Sequence, residues 1–523
     1  MARDPEARTE RHRPALVYIL AATVVALATV AVILLLQNIT TRKDEARTYY
    51  FPVVPVDETT DDPERWAPNF PYQYDTYARP ADDIRTRWGG NEAFQKLNVF
   101  PIWTALFAGY GFGIDYREER GHAYMLQDQR ETKRVTDLQQ PGACLQCHAS
   151  TVVVYRQLGL EAGEPGELTD PFQSPTARAQ LMRGFEIACA MPYDSLTLRA
   201  EHPVSCIDCH DPQTMRLRVT RPGFLVGIQR LAESDYPLPQ FPSIERWRQG
   251  GREADYEPNE RASRQEMRTF VCGQCHVEYY FKGEGNLLTY PWHNGLLAEQ
   301  MEEYYDEVAF ADWTHPESGA RLLKAQHPEF ELWTQGAHSQ AGVSCADCHM
   351  PYERIGAVKV SNHHVRSPLL GVGAACQTCH RNDEEELLRR ATAIQDKSQA
   401  MQEQAEQAVF ELMRDIAASA AAGAPAEQLD EPRRRHRQAQ WRLDFVAAEN
   451  SRGFHADQET ARLLAGAMEL ARRGQITVAR LGLELPPESE RYVPPEPLPD
   501  EPPPGPANGL PGSNARSTGA SSP

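Results

Sequence analysis

The stretch CGQCHVEYYF, Cys272 to Phe281, decides how this chain must be read. Two cysteines flanking two residues, with a histidine immediately after, can bond through both thiols to the vinyl groups of a haem while the imidazole ligates its iron. The pattern recurs at CLQCH (Cys144, Cys147, His148), CIDCH (Cys206, Cys209, His210), CADCH (Cys345, Cys348, His349) and CQTCH (Cys376, Cys379, His380), and in the opening stretch it is Cys272, Cys275 and His276. These five copies use ten of the eleven cysteines and leave Cys189, which reads as an inert buried thiol. A zinc or disulfide framework would neither place a histidine after every pair nor space successive pairs 31 to 73 residues apart.

Working outward, the motif region from residue 66 to residue 380 is rich in Pro, Gly and aromatic residues, so haem packing rather than strand pairing should organise it. From Asp383 the texture changes. Leu387, Ile394, Met401 and Ala408 repeat every seven residues through a Gln- and Glu-rich run, which predicts a long helix. Further helices are expected over Arg433 to Ala448, where Trp441 and Phe445 stand four apart, and over Asp457 to Leu481. The fold expected is mainly α, a multihaem cytochrome c with a haem-packed domain, a long-helix segment over 381–484 and a Pro-rich tail over 485–523 that cannot bury enough to fold.

Ala15 to Leu36 is an unbroken apolar run, and as a helix it rises about 33 Å, enough to cross a hydrocarbon core of about 30 Å. It reads as an uncleaved membrane anchor; the competing reading is a signal peptide cut near Ala26-Leu27-Ala28. Arg3, Arg8, Arg11 and Arg13 precede it, which places residues 1–14 in the cytoplasm and the haem domain on the periplasmic side of the membrane. Residues 37–65 then read as a linker. The formal charge of −19 argues against a nucleic-acid partner, but a local basic site can still attract a small anion.

Haem c has two common uses, and the sixth ligand separates them: two axial histidines leave an electron carrier, whereas one leaves a position open for substrate. Sixteen histidines leave eleven beyond the motifs, so counting decides nothing. Longer stretches do. RGHAYMLQDQRETKR (Arg120 to Arg134), CGQCHVEYYF, PWHNGLLAEQMEEYYDEVAFADW (Pro291 to Trp313), KAQHPEFELWTQGAH (Lys324 to His338), CADCHMP and RHRQAQWRLDF (Arg435 to Phe445) resemble the pentahaem cytochrome c nitrite reductases, which convert nitrite to ammonium. The resemblance spans roughly Tyr72 to Leu481.

It implies that the haem of Cys144 and Cys147 is catalytic, with His148 proximal and Arg134, Tyr279 and His327 above the open iron. It implies distal ligands for the other haems at His122, His338, His363 and His455, His363 being preferred over its neighbour His364. For EYYF it implies a calcium ion held by the Glu278 carboxylate, the carbonyls of Tyr279 and Lys324, and the Gln326 side chain, all hard oxygen donors. The partners it implies are a membrane quinol-oxidising multihaem cytochrome or similar donor, and a second copy of the chain docked through the long helices. One departure stands out: the family most often holds its catalytic haem with Cys-x-x-Cys-Lys, and only a subset carries histidine, as CLQCH does here. The rival readings are a non-enzymatic electron relay and a sister reductase acting on hydroxylamine, nitric oxide or sulfite.

Mass spectrometry of the fully matured, denatured chain is expected to show the polypeptide plus five haem masses, one per complete motif; four or fewer would contradict the motif reading.

Overall fold

The computed structural model describes residues 13–47, 52–79, 85–89 and 94–498. The chain divides into two units, Met1–Pro55 and Val56–Pro523. The first contains helix α1, Arg13–Arg47, whose stretch Leu16–Thr41 is long and apolar enough to cross a membrane. The helix outruns the apolar segment because its polar residues are satisfied internally: the hydroxyls of Thr23, Thr29 and Thr40 donate to the carbonyls of Ile19, Val25 and Leu36 at 2.8, 2.9 and 2.9 Å. Residues 37–47, expected as linker, are therefore helical. Residues 1–12 of the expected cytoplasmic segment lie outside the described residues.

The end of the expected linker also differs, because it belongs to the second unit. Glu58 is buried and accepts two bonds of 2.9 Å from Arg218, while Trp66 is fully buried with its indole N–H on the Thr60 carbonyl at 2.9 Å. A carboxylate that ends a buried guanidinium cannot be left in a solvated linker.

Within the second unit, helices α2 (Val152–Glu161) and α3 (Pro175–Ala190) touch backbone to backbone. The contact demands glycine at Gly159 and Gly184, since a Cβ would lie 2.2 Å from the Gln180 carbonyl oxygen in the first case and 1.6 Å from the Tyr155 carbonyl oxygen in the second. Strands are few. Tyr280–Lys282 pairs with Leu287–Thr289, Trp313–Thr314 with Arg321–Leu322, and Tyr352–Ile355 with Val358–Ser361, all antiparallel.

Each cysteine motif sits on a short helical turn or at the end of a helix, and the motif's own residues help to build that turn. In SCIDC and SCADC the Asp caps the turn it belongs to, accepting the backbone N–H of Ser205 at Asp208 and of Ser344 at Asp347, both at 2.8 Å. The same carboxylates then join the motifs to one another. Asp208 pairs with the fully buried Arg221 at 2.8 Å, and Arg221 reaches on to the Ala149 carbonyl, one residue past His148, also at 2.8 Å. Asp347 pairs at 2.8 Å with Arg268, which lies on the helix Arg264–Gly273 that carries Cys272.

The C-terminal helices are Glu384–Ala421, Ala426–Ala447 and Asp457–Ala479. Asp383 starts the first by accepting the Glu386 N–H at 2.8 Å. The second begins nearly two turns before the expected Arg433, enclosing the buried Pro432, which costs one backbone hydrogen bond early in the helix but not the helix itself. Leu412, Val409 and Ile416 from the first helix are buried with Trp441, Phe445 and Leu463 from the others, whereas Leu387, Ile394 and Met401 are only half-buried. The tail also departs from expectation over residues 485–498. Tyr492 and Arg491 share one oxygen of the buried Asp415 at 2.8 and 3.0 Å, and Arg414 donates to the Arg491 carbonyl at 2.8 Å. Residues 499–523 lie outside the described residues.

Arg221→Met strands the buried Asp208 charge and should lower the unfolding free energy of the haem-loaded chain by about 3–5 kcal/mol. An unchanged midpoint in denaturant would remove Arg221 from this structural role.

Candidate active site

Four of the five motif histidines face a histidine from outside the motifs, with ring centroids at nearly one distance. The pairs are His276 with His122 at 6.4 Å, His210 with His363 at 6.3 Å, His380 with His338 at 6.2 Å, and His349 with His455 at 6.2 Å. Two imidazoles that bind opposite sides of one metal through nitrogens at about 2 Å have centroids roughly 6 Å apart, so each pair is spaced to hold an iron. His363, not His364, is the ring facing His210.

Backbone carbonyls occupy the other nitrogen of several rings: Met215 on His210 at 3.0 Å, Ser361 on His363 at 2.9 Å and Arg366 on His349 at 3.3 Å. Burial holds His122, His210 and His349 down to about 4, as the neutral rings that ligate metals. In His276 and His455 burial acts the same way, but Glu329 and Glu449 outweigh it and raise both rings.

The fifth motif histidine is different. Among the described residues no histidine ring faces His148 at that spacing, and its Nδ1 meets the Glu119 carboxylate at 3.1 Å. Burial pushes Glu119 up, but His148, Arg134 and His327 outweigh it and hold the carboxyl below its ordinary value. The three expected active-site side chains gather here. Tyr279 is held well above the usual phenol range by burial, against the pull of Arg134. His327 is pushed down to about 4 by burial, with Glu329 opposing and His276 and His148 adding to the depression. Arg134 lies with its guanidinium 4.3 Å above the Phe112 ring, its Nε buried without a hydrogen-bond partner, and no carboxylate forms an ion pair with it among the described residues. A guanidinium without a direct ion pair among the described residues, a neutral phenol and a neutral imidazole form a set that can hold an anion and supply protons to it.

The expected calcium ligands also converge. Tyr279 stands between the third motif and the strand Tyr280–Lys282. Glu278, fully buried, accepts the Tyr305 hydroxyl at 2.8 Å on one oxygen and the Gln326 N–H at 2.6 Å on the other, and the Gln326 amide lies 3.4 Å from the Lys324 carbonyl. The Lys324 ammonium turns away to Asp444 at 3.1 Å. Burial, with Glu331 and Asp312 nearby, raises Glu278 strongly, and burial pushes Asp312 to about 7. A buried carboxylate this short of positive charge, beside carbonyl and amide oxygens, fits a hard cation. Among the described residues no three His, Cys, Asp or Glu side chains cluster to hold a metal.

Sequence reasoning missed Glu119, Asp312 and Glu329. Glu119 directly precedes the quoted Arg120, and Asp312 and Glu329 lie inside quoted stretches; none belongs to a spacing rule, so only their neighbours in space reveal them. The third motif is the junction of the set. Cys275 touches Cys147, Cys272 touches Cys345, and Gln274 reaches the Cys209 sulphur at 3.9 Å.

The cytochrome c552 family model matches residues 62–495. Cytochrome c-552 of Parabacteroides distasonis is 35% identical over 445 residues, covering 84% of this chain and 79% of its own, and that of Porphyromonas gingivalis is 35% identical over 426 residues, covering 80% and 76%. Among solved structures, the catalytic subunit of the cytochrome c nitrite reductase of Desulfovibrio desulfuricans, described with two calcium sites, superposes with a TM-score of 0.66 at 26% identity, over 82% of this chain and 88% of that one. The chain belongs to the cytochrome c552 family, the multihaem cytochromes c.

Proposed function

We propose that this chain reduces nitrite to ammonium with six electrons, at the haem attached to Cys144 and Cys147. The observation that carries the reading is His148, the motif histidine without an opposing ring, at a place where Arg134, Tyr279 and His327 meet. The haem, when bound, supplies the electrons and one open coordination position. The protein does the rest. Arg134, which forms no carboxylate ion pair among the described residues, replaces the hydration that an arriving anion loses, and its planar fork orients the two nitrite oxygens. Tyr279 and His327 stay near that position and donate protons as the oxygens leave as water.

His122, His363, His338 and His455 serve as distal ligands opposite His276, His210, His380 and His349, and these four haems relay electrons. The contacts of the third motif with the first, second and fourth support its haem as the point where those electrons converge. Glu278, the Tyr279 and Lys324 carbonyls and the Gln326 side chain hold one calcium ion, which neutralises the buried carboxylate and fixes Tyr279. The half-buried Leu387, Ile394 and Met401 dock a second copy. Residues 15–36, inside α1, anchor the haem domain to the periplasmic side of the cytoplasmic membrane, close to a quinol-oxidising multihaem donor.

Steady-state kinetics with an artificial reductant, haem content verified, test the site. Arg134→Ala should lower kcat/KM for nitrite by roughly two to four orders of magnitude, since two charge-assisted bonds of about 1.5–3 kcal/mol each are lost. Arg134→Lys keeps the charge without the fork and should fall between. His327→Ala should depress kcat more than it raises KM. Near-normal nitrite kinetics in Arg134→Ala would return that residue to a structural role, and an oxidised protein with no high-spin haem would favour the electron relay.

Calcium is tested separately. Chelation should lower activity, and Glu278→Ala should lower it further; a fully active Glu278→Ala protein without bound calcium would refute the site.

A further inference from the structure

The segment Glu119-Arg120-Gly121-His122 serves two motifs at once. Its last residue faces His276, and its first meets Nδ1 of His148 at 3.1 Å. The segment is pinned around that contact. Glu118 pairs with Lys96 at 2.8 Å, and Arg120 donates to Asp128 from both its Nε and its backbone N–H at 2.9 Å. Gly121, at φ +101, makes a turn that an L side chain resists, and so lets the chain present Glu119 and His122 to different motifs.

The partner of His148 differs in kind from those of His210, His349 and His363. Those three rings rest on neutral backbone carbonyls. The contact is an ion-pair approach of 3.1 Å rather than an aligned hydrogen bond, and a carboxylate at that nitrogen favours the Nδ1–H tautomer and raises the basicity of the other nitrogen. Among the described residues His455 shares a comparably close carboxylate, Glu449 at 2.6 Å, and lies opposite a different motif histidine, while Glu329 stands farther off, 3.9 Å from His276.

We propose that Glu119 is a positioning residue for His148: its carboxylate orients the ring by Nδ1 and makes it a stronger electron donor through the other nitrogen. This rests on His148 being the axial ligand of the haem with the open position. Stronger donation favours the oxidised iron, so Glu119 lowers the potential of that haem and raises its reducing power towards bound substrate.

The test uses the full haem-loaded protein and the Glu119→Gln variant, which keeps shape but removes the charge. Its high-spin haem should titrate at a more positive potential, its iron–histidine stretch in the reduced state should move to lower frequency by resonance Raman, and kcat should fall about 10- to 100-fold. Glu449→Gln is the control and should move the potential of a low-spin haem instead. A Glu119→Gln protein with five haems, an intact high-spin signal, and unchanged potential and stretch overturns the proposal. Should that variant mature incompletely, Glu119→Asp carries the test: its shorter carboxylate must loosen the bond and lower the stretch, and a wild-type stretch there overturns the proposal equally. A wild-type protein with no high-spin haem would instead overturn the reading of His148 itself.

Discussion

An iron held between two imidazoles fixes the distance between them, and four such distances in this chain agree to within 0.2 Å, from 6.2 to 6.4 Å. Everything else in the haem domain is arranged around that constraint. A conventional core can trade one apolar side chain for another of similar volume, but a pair of rings on one metal cannot relax sideways without losing a bond. The backbone around the second and fourth motifs is accordingly over-determined by capping carboxylates and the guanidinium groups they hold. Asp208 illustrates the economy: one side chain caps its own cysteine turn, anchors Arg221, and through it holds the carbonyl that follows His148.

Against that background the exception at His148 becomes informative. Where the other motif histidines meet a ring, this one has at hand a cation, a phenol and an imidazole that burial keeps neutral. Arg134 is half-buried there, its guanidinium stacked on Phe112 and within the field of the Glu119 carboxylate.

Much of this was legible in the linear chain, for reasons that differ by feature. The covalent haem sites were readable because thioether chemistry imposes a local spacing, and the long helix from Glu384 because its cap and period are local too. The boundaries were less readable. Glu58 looks like a linker residue until Arg218, far along the chain, comes to meet it, and Tyr492 looks like part of a Pro-rich tail until Asp415 does. The helix expected from Arg433 begins at Ala426 instead, and tertiary packing carries it through Pro432. At the site itself, longer stretches pointed to Arg134, Tyr279, His327 and the Glu278 set, whereas Glu119 has no motif of its own. A second-layer carboxylate can approach a ring from any chain direction, so no periodicity announces it.

The short reach from Glu119 to His122 also ties distant parts of the chain together. Three virtual bonds of 3.8 Å span at most about 11 Å, and the turn at Gly121 shortens that further. One tetrapeptide thus fixes the separation between His148 and His276, which belong to motifs whose first cysteines, Cys144 and Cys272, lie 128 residues apart in the sequence. A single inserted residue between Glu119 and His122 would disturb both contacts together.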